Sequence, residues 1–113
     1  MKILKYKNFT KGWLVGNFKP SILKTKKLEV GIAYHSKGEP TINHYHTRST
    51  EYNLIINGSM MVNKKKLKKG DIFIYKKNEI SNCKFLSDTS LLVLRTPSAP
   101  GDKVIVYKKK KLK

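Results

Sequence analysis

Residues 38–58 read GEPTINHYHTRSTEYNLIING, and this stretch decides both the fold prediction and the functional hypothesis. It consists of two short extended runs joined by polar residues. Side chains two positions apart on a strand point to the same face, so His44 and His46 lie on one wall. Glu51 opens the second run and can bring a carboxylate beside them. The stretch therefore predicts a site of two imidazoles and one carboxylate on neighbouring strands.

Such a trio matches a known set of metal ligands. Two imidazoles and one carboxylate hold non-haem Fe(II), and zinc, manganese or nickel would also be accepted. The alternative is that the two histidines are hydrogen-bonded polar residues that line a small barrel. Ionisable groups that cluster in a cavity are costly to bury unless something uses them, which favours a functional site.

The same stretch resembles the first cupin motif, which reads Gly, five residues, His-x-His, three or four residues, Glu, six residues, Gly. Every fixed position is met, by Gly38, His44, His46, Glu51 and Gly58. The resemblance implies an all-β chain folded as a cupin-type double-stranded β-helix, or jelly-roll barrel. It also implies that His44, His46 and Glu51 are the catalytic residues and the ligands of a divalent metal, Fe, Zn, Mn or Ni.

The second cupin motif, Gly, five residues, Pro-x-Gly, two residues, His, is matched only in part. Gly70 matches its opening, but Lys76 and Asn78 replace the proline and the second glycine. Ser81 stands where the fourth metal ligand, histidine, is usual. Three protein ligands leave open positions for a substrate, which favours catalysis. The missing histidine also lowers the expected affinity for a metal. That favours a binding module or a metal-free site in which His and Glu act as acid and base, as in some cupin relatives.

Three residues outside the trio are predicted to contact a ligand. Arg48 lies in the turn after the histidines, at the mouth of the barrel, where it can meet a carboxylate or a phosphate. Asn53 shares the inward face with Glu51, whereas Tyr52 points outward, toward solvent or a dimer interface. Ser81 is the third, because it stands at the position of the fourth metal ligand.

Short extended runs separated by turn residues cover the chain and predict an all-β fold. The predicted strands are 2–7, 28–35, 41–46, 52–56, 60–63, 71–75, 80–85, 90–95 and 103–107. The run 71–75 reads as a strand that is buried over most of its length. Asn57-Gly58 is the dipeptide preferred in a type I′ hairpin and predicts one between its flanking strands.

We expect one cupin domain over residues 1–107, in which 1–27 supplies an N-terminal strand and a barrel-covering segment and 28–107 supplies the barrel core. The basic tail 108–113 is predicted to be disordered. The single cysteine, Cys83, cannot form an intramolecular disulfide, and lysines interrupt the apolar residues of the N-terminus, so we expect a cytoplasmic protein. No apolar run approaches the roughly 20 residues that span a bilayer.

Charge narrows the choice of partners. The chain has 25 basic and 7 acidic residues, a formal net charge of +18, which attracts anionic metabolites or polyanions. Only two of the basic residues, Arg48 and Arg95, are arginines, the residue that reads guanine and phosphate bidentately. Nucleic acid is therefore the weaker alternative, expected only as a non-specific, salt-sensitive partner.

The leading hypothesis is a small cytoplasmic cupin, paired as a homodimer, that binds a small anionic molecule of carbohydrate or keto-acid type in its barrel. A metal would support oxidation, isomerisation or epimerisation of that molecule. The alternative is a non-catalytic ligand-binding or sensing module without metal. The sequence leaves open whether the chain is an enzyme.

Overall fold

Eleven short strands and two single turns of 3₁₀ helix form the regular structure of residues 1–107, the part of the chain that the computed structural model describes. The strands are β1 (Trp13–Gly16), β2 (Leu23–Lys24), β3 (Glu29–His35), β4 (His44–His46), β5 (Thr50–Asn57), β6 (Ser59–Val62), β7 (Lys65–Lys68), β8 (Ile72–Tyr75), β9 (Cys83–Phe85), β10 (Thr89–Thr96) and β11 (Lys103–Ile105). The all-β prediction is confirmed. The tail 108–113, predicted to be disordered, lies outside the described residues.

Within this part of the chain, the strands pair into three sheets. Sheet A has the strand order β2-β1-β3-β10-β5-β8, sheet B pairs β11 with β4, and sheet C has the order β7-β6-β9. All neighbours run antiparallel except β1 and β2. Most pairings therefore join strands that are distant in the sequence, as β10 joins β3 and β5 in the middle of sheet A.

The hydrophobic core lies between sheet A and sheet C. Sheet A contributes Ile55, Tyr75, Leu91 and Val93, and sheet C contributes Met60, Val62 and Phe85. Side chains alternate along each strand, so Ile55 of β5 and Leu91 and Val93 of β10 reach this core while their neighbours point outward. Each sheet therefore has one face toward the interior and one outer face.

The tight hairpin of the fold lies at Asn63-Lys64, between β6 and β7. Both residues have positive φ, 46° and 71°, as a type I′ turn requires. The predicted hairpin at Asn57-Gly58 is wrong, because β5 and β6 belong to different sheets. Gly58 instead carries the chain from one sheet to the other with φ of 95°, and a Cβ there would collide with the backbone of Asp88.

The N-terminal segment does not form the predicted strand 2–7. It contains 3₁₀ turns at Tyr6–Asn8 and Thr10–Gly12. No helix within residues 1–107 is long and apolar enough to span a membrane. The edge of β3 is taken by β1, so the first residues have no strand partner there. They are attached instead through the hydroxyl of Tyr6, which donates a 2.6 Å hydrogen bond to the carbonyl of Ile32.

Strand β8 lies at the edge of sheet A and is buried on one face alone. Phe73 and Tyr75 point inward, whereas Ile72 and Ile74 are 66% and 52% exposed. The prediction that this run is buried over most of its length is therefore wrong. Its unbroken apolar sequence is explained by an outer face of sheet A that is itself apolar.

Candidate ligand-binding site

Residues of all three sheets enclose a cavity of about 380 Å³. Its apolar lining includes Trp13, Phe73, Met60, Leu91 and Val93, and its polar lining includes His44, Glu51, Asn53, Arg95 and Lys103. Small-molecule sites usually have volumes of roughly 300–1,000 Å³ and combine apolar walls with a few polar groups. The cavity therefore has the size and the lining of a site for a small metabolite.

His46, on β4, is buried and is held in one orientation by Asp102. Its Nδ1–H donates a 2.7 Å hydrogen bond to Asp102 Oδ1. Its Nε2 lies 3.4 Å from Glu51 Oε2, but this buried atom has no hydrogen-bond partner of good geometry within residues 1–107. Burial lowers the pKa of His46, but the carboxylates of Glu51 and Asp102 outweigh it and raise that pKa.

Asp102 also fixes the turn that follows β4. Its Oδ2 accepts hydrogen bonds from the backbone N–H groups of Arg48, at 3.2 Å, and Ser49, at 3.1 Å. Burial raises the pKa of Asp102, but the hydrogen bonds from His46 and the two N–H groups lower it overall. The sequence analysis missed this residue, because nothing in the motif spacing connects it with a histidine 56 positions away.

His44, on the same strand, faces the large cavity. Its Nδ1–H donates a 2.9 Å hydrogen bond to the carbonyl of Ile42, which leaves Nε2 as the acceptor nitrogen. The rings of His44 and His46 are perpendicular, with centroids 5.4 Å apart. Burial is the main cause that lowers the pKa of His44, and the charge of Lys103 adds to it. His44 is therefore neutral at neutral pH and can accept a proton.

Glu51, on β5, is fully engaged by its neighbours. Arg95 Nε donates a 2.8 Å hydrogen bond to Oε2, and Asn53 Nδ2 donates a 3.1 Å hydrogen bond to Oε1. Burial raises the pKa of Glu51, but the nearby imidazole of His46 and the charge and hydrogen bond of Arg95 outweigh it and bring it to about 2. Glu51 is therefore a carboxylate at any physiological pH.

Arg95, on β10, is the second site residue that the sequence analysis missed. It was considered only as one of two arginines, yet its guanidinium lies in the cavity wall. Its Nη1 donates a 3.2 Å hydrogen bond to Glu29 Oε1, and its Cζ stacks 4.6 Å from the centre of the Trp13 ring. The only available signal was its place in an otherwise largely apolar strand, because a charged residue that is buried there needs partners.

Of the other predicted ligand contacts, the structure brings Asn53 and Ser81 to the site but not Arg48. Asn53 is buried beside Glu51, as the alternation of β5 predicted. Ser81 exchanges two backbone hydrogen bonds with His44, at 2.7 and 3.3 Å, and lines the cavity. The side chain of Arg48 is exposed in its turn and is not among the groups that line the cavity.

His35 lines the cavity as well, at the end of β3. Its Nδ1–H donates a 3.1 Å hydrogen bond to Glu39, and its ring stacks on Phe85 with centroids 4.1 Å apart. This histidine belongs to neither cupin motif, and its packing places it in the wall of the cavity.

No family model matches the sequence, and no curated protein does. Solved structures are similar in fold. An uncharacterised conserved protein with a double-stranded β-helix domain from Klebsiella pneumoniae has a TM-score of 0.64 and 19% identity over 77% of this chain and 81% of its own. A cupin superfamily protein from Desulfitobacterium hafniense has a TM-score of 0.57 and 16% identity over 64% of this chain and 69% of its own. The chain has the cupin fold.

A third solved structure, that of the DMSP lyase DddQ from Ruegeria pomeroyi, has a TM-score of 0.71 and 16% identity. The similarity covers 96% of this chain but 62% of the lyase. At identities this low, the structural similarity establishes the cupin fold alone. The function therefore has to be argued from the site.

The cupin histidines have the arrangement that metal ligands need. Each Nδ1–H is fixed by a hydrogen bond, to Ile42 or to Asp102, which is how proteins orient metal-binding imidazoles. A second cavity of about 10 Å³ is bounded in part by His44, His46 and Ser81, and it has the size of about one water molecule. The imidazoles by themselves therefore fit a metal ion.

The carboxylate of the cupin motif does not fit one. Both oxygens of Glu51 are held by other side chains, and one of these is the cation Arg95. Within the described part of the chain, no three His, Cys, Asp or Glu side chains form a group that could hold a metal. In this arrangement the three motif residues do not fit a resident divalent metal.

Proposed function

We propose that this cupin binds a small organic anion in its large cavity and moves a proton on it without a resident metal. One observation carries the proposal. The neutral imidazole of His44 and the cation Lys103 line the same wall of a cavity of about 380 Å³ that also has a large apolar lining, including Trp13 and Phe73. Reactions of this type are isomerisations or epimerisations next to a carbonyl group.

Lys103 supplies the charge for anion recognition. It lies on β11, directly opposite His46 in sheet B. No lysine within residues 1–107 lies within 4.0 Å of a carboxylate, so the charge of Lys103 is not neutralised by the chain itself. A carboxylate or phosphate of the ligand would be attracted to it, while the carbon skeleton packs against Trp13 and Phe73.

His44 is the base in this proposal. Its Nε2 would take a proton from the carbon next to a carbonyl, the C–H electron pair would move toward the carbonyl oxygen, and the developing negative charge would be stabilised by Lys103. In an isomerisation the proton then returns from Nε2 to the former carbonyl carbon, while the hydroxyl proton passes from the neighbouring oxygen to the former carbonyl oxygen. In an epimerisation the intermediate takes a proton from water on its other face, and His44 releases its own proton to water. No co-reactant is consumed, because an isomerisation begins and ends with the same atoms.

Binding is tested with a panel of keto acids, sugar acids and sugar phosphates, measured by calorimetry in the presence of EDTA. We expect at least one of them to bind, and Lys103→Met to weaken its binding by about tenfold, which corresponds to the loss of one charge-assisted contact. The matched control is Lys84→Met, which removes an exposed lysine on the outer face of sheet C. Equal losses in the two variants would contradict the proposal.

Proton transfer is tested by NMR in deuterated water with the ligand that binds best. We expect deuterium to replace the hydrogen next to the carbonyl, and His44→Asn to stop this exchange while binding persists. Asn keeps a donor for the Ile42 carbonyl but has no counterpart of Nε2. Binding without exchange in the unmodified protein would favour the non-catalytic binding or sensing module.

The second candidate is a metal-dependent form of the same site. It is favoured by the unpartnered Nε2 of His46 and by the small cavity beside it. Elemental analysis of untagged protein, with His44→Ala for comparison, separates the two candidates. Stoichiometric metal in the wild type that is lost in His44→Ala would establish the metal-dependent form.

A further inference from the structure

Three charged residues form a row across the middle of sheet A. Arg95 on β10 is directly opposite Glu29 on β3 and directly opposite Glu51 on β5. The guanidinium bridges the two carboxylates, at 3.2 Å and 2.8 Å. Its side chain is 20% exposed, and those of the glutamates are 5% and 12% exposed. The row is therefore an internal ion-pair network and not a surface one.

The position of Arg95 is fixed on a second side. Its guanidinium stacks on Trp13, and Glu29 is held in turn by the hydroxyl of Ser98 at 2.9 Å. A planar cation between two carboxylates and an aromatic face has little freedom to swing away. Arg95 therefore keeps its contact with Glu51 as long as sheet A is intact.

A divalent metal on the two histidines would need the same carboxylate. It would have to take Glu51 Oε2 from Arg95 and then lie within a few ångströms of the guanidinium, among side chains that are largely buried. Two cations that compete for one carboxylate repel each other strongly in such surroundings. Ser81, at the fourth cupin position, offers only a hydroxyl in compensation.

We propose that Arg95 is an internal cation that takes the electrostatic place of the metal at Glu51 and keeps this site metal-free. It neutralises the carboxylate of the cupin motif and leaves His44 free to act on a ligand in the large cavity. This inference rests on the metal-free site of the proposed function and names the residue responsible for it. It is independent of which ligand the cavity takes.

The test measures Co²⁺ binding alone, by calorimetry and by visible absorption, on the full chain after treatment with EDTA. Arg95→Met removes the charge and keeps a long apolar stem against Trp13. We expect this variant to bind Co²⁺ at least about tenfold more tightly than the wild type, with the absorption of a nitrogen- and oxygen-ligated ion. Arg48→Met is the matched control, because it removes the only other arginine and should leave Co²⁺ binding unchanged.

Two additional variants keep the test decisive. Arg95→Met with Glu51→Gln should lose the gained affinity, because the released carboxylate is the proposed ligand. Arg95→Met with Glu29→Gln removes the other carboxylate left without a partner, and it replaces the single variant if that one does not fold.

Equal affinity of wild type and Arg95→Met for Co²⁺, whether tight or undetectable, would overturn the inference. Stoichiometric metal in the purified wild type would do the same. Failure of the proposed function has a different signature, because it appears as a lack of binding across the panel of organic anions and does not alter the response to Co²⁺.

Discussion

At the scale of single residues, the site is a chain of buried charges that begins at Asp102 and ends at Glu29. His46 lies between Asp102 and Glu51, and Arg95 lies between Glu51 and Glu29. His46 and Arg95 therefore each have a carboxylate on both sides. Buried charges are stable only when paired in this way, so removal of any one member leaves its neighbours exposed to the full desolvation penalty.

Glu51 should make stability depend on acidity. Its pKa is about 2 in the folded chain, below the ordinary 4.5, so its contribution is present above pH 4.5 and is lost as pH falls toward 2. A shift of this size is worth roughly 3 kcal/mol. Urea unfolding between pH 2 and pH 7 should therefore show a smaller loss of stability on acidification for Glu51→Gln than for the wild type. Glu79→Gln, at an exposed residue, is the control. If Glu51→Gln lost as much stability on acidification as Glu79→Gln does, this prediction would be contradicted.

Asp102 should be worth more to stability than any exposed aspartate. Asp102→Ala removes the partner of His46 Nδ1 and of two backbone N–H groups, all in a buried setting. We expect a loss of roughly 3 kcal/mol in the free energy of unfolding. The control is Asp88→Ala, at an exposed residue that accepts one backbone hydrogen bond, where less than about 1 kcal/mol should be lost. Similar losses in both variants would show that Asp102 does not organise the site.

The sequence was sufficient for the residues whose roles depend on strand alternation. Asn53 shares the inward face with Glu51, while Tyr52 is 40% exposed on the outer face. The sequence was insufficient for Arg95 and Asp102. Arg95 pairs with Glu51, which is 44 positions away, and Asp102 pairs with His46, which is 56 positions away. Contacts of that kind are set by topology, which local patterns do not contain.

At the scale of elements, the turn between β6 and β7 offers a direct test of backbone strain. Lys64 has φ of 71°, which is unfavourable for a side chain with a Cβ. Lys64→Gly creates the Asn-Gly pair preferred in type I′ turns and should stabilise the chain by roughly 0.5–1 kcal/mol. Lys65→Gly, one residue later inside β7, should destabilise it, because glycine weakens a strand. Thermal unfolding of both variants measures this, and a loss of stability in Lys64→Gly would contradict the assignment.

Elements were predictable where an extended run rich in apolar residues lies between turn residues, as in β3, β5 and β10. Strand β7 was missed because its sequence, KKLK, has one apolar residue, and its pairing with β6 follows from the preceding turn. The hairpin predicted at Asn57-Gly58 was wrong for the opposite reason, because there the local sequence suggested a pairing that does not form. A dipeptide suited to a hairpin can also carry the chain between sheets, and only the long-range partners of β5 decide between the two.

At the scale of the whole molecule, charge is distributed unevenly between the two outer faces. Strands β3, β5, β8 and β10 contain no lysine, whereas β7 has three, and β9 and β11 have one each. The outer face of sheet A instead has two apolar rows in register, Val30-Leu94-Tyr52-Ile74 and Ile32-Leu92-Leu54-Ile72. Tyr52, Ile72 and Ile74 in these rows are exposed, and an exposed apolar face is typical of an interaction surface.

We expect a second copy of the chain to cover this face. Two molecules of net charge +18 repel each other, and the apolar rows of sheet A contain no lysine, so this face allows a close approach of two copies. Light scattering after size exclusion should give the mass of a dimer for the wild type and of a monomer for Ile74→Lys. Leu86→Lys, outside sheet A, is the control that should remain a dimer. A monomeric wild type would contradict the pairing.

We propose that the large cavity binds a small organic anion without a metal. The single tryptophan of the chain, Trp13, can detect such binding directly. Trp13 lines the cavity and stacks on Arg95, so an occupant should change its fluorescence. The decisive measurement is a fluorescence titration of EDTA-treated protein with the panel of keto acids, sugar acids and sugar phosphates. A saturable change for at least one anion, weakened by Lys103→Met, is the expected result. A signal that stays constant for every anion, or that changes only after a divalent metal is added, would contradict the claim.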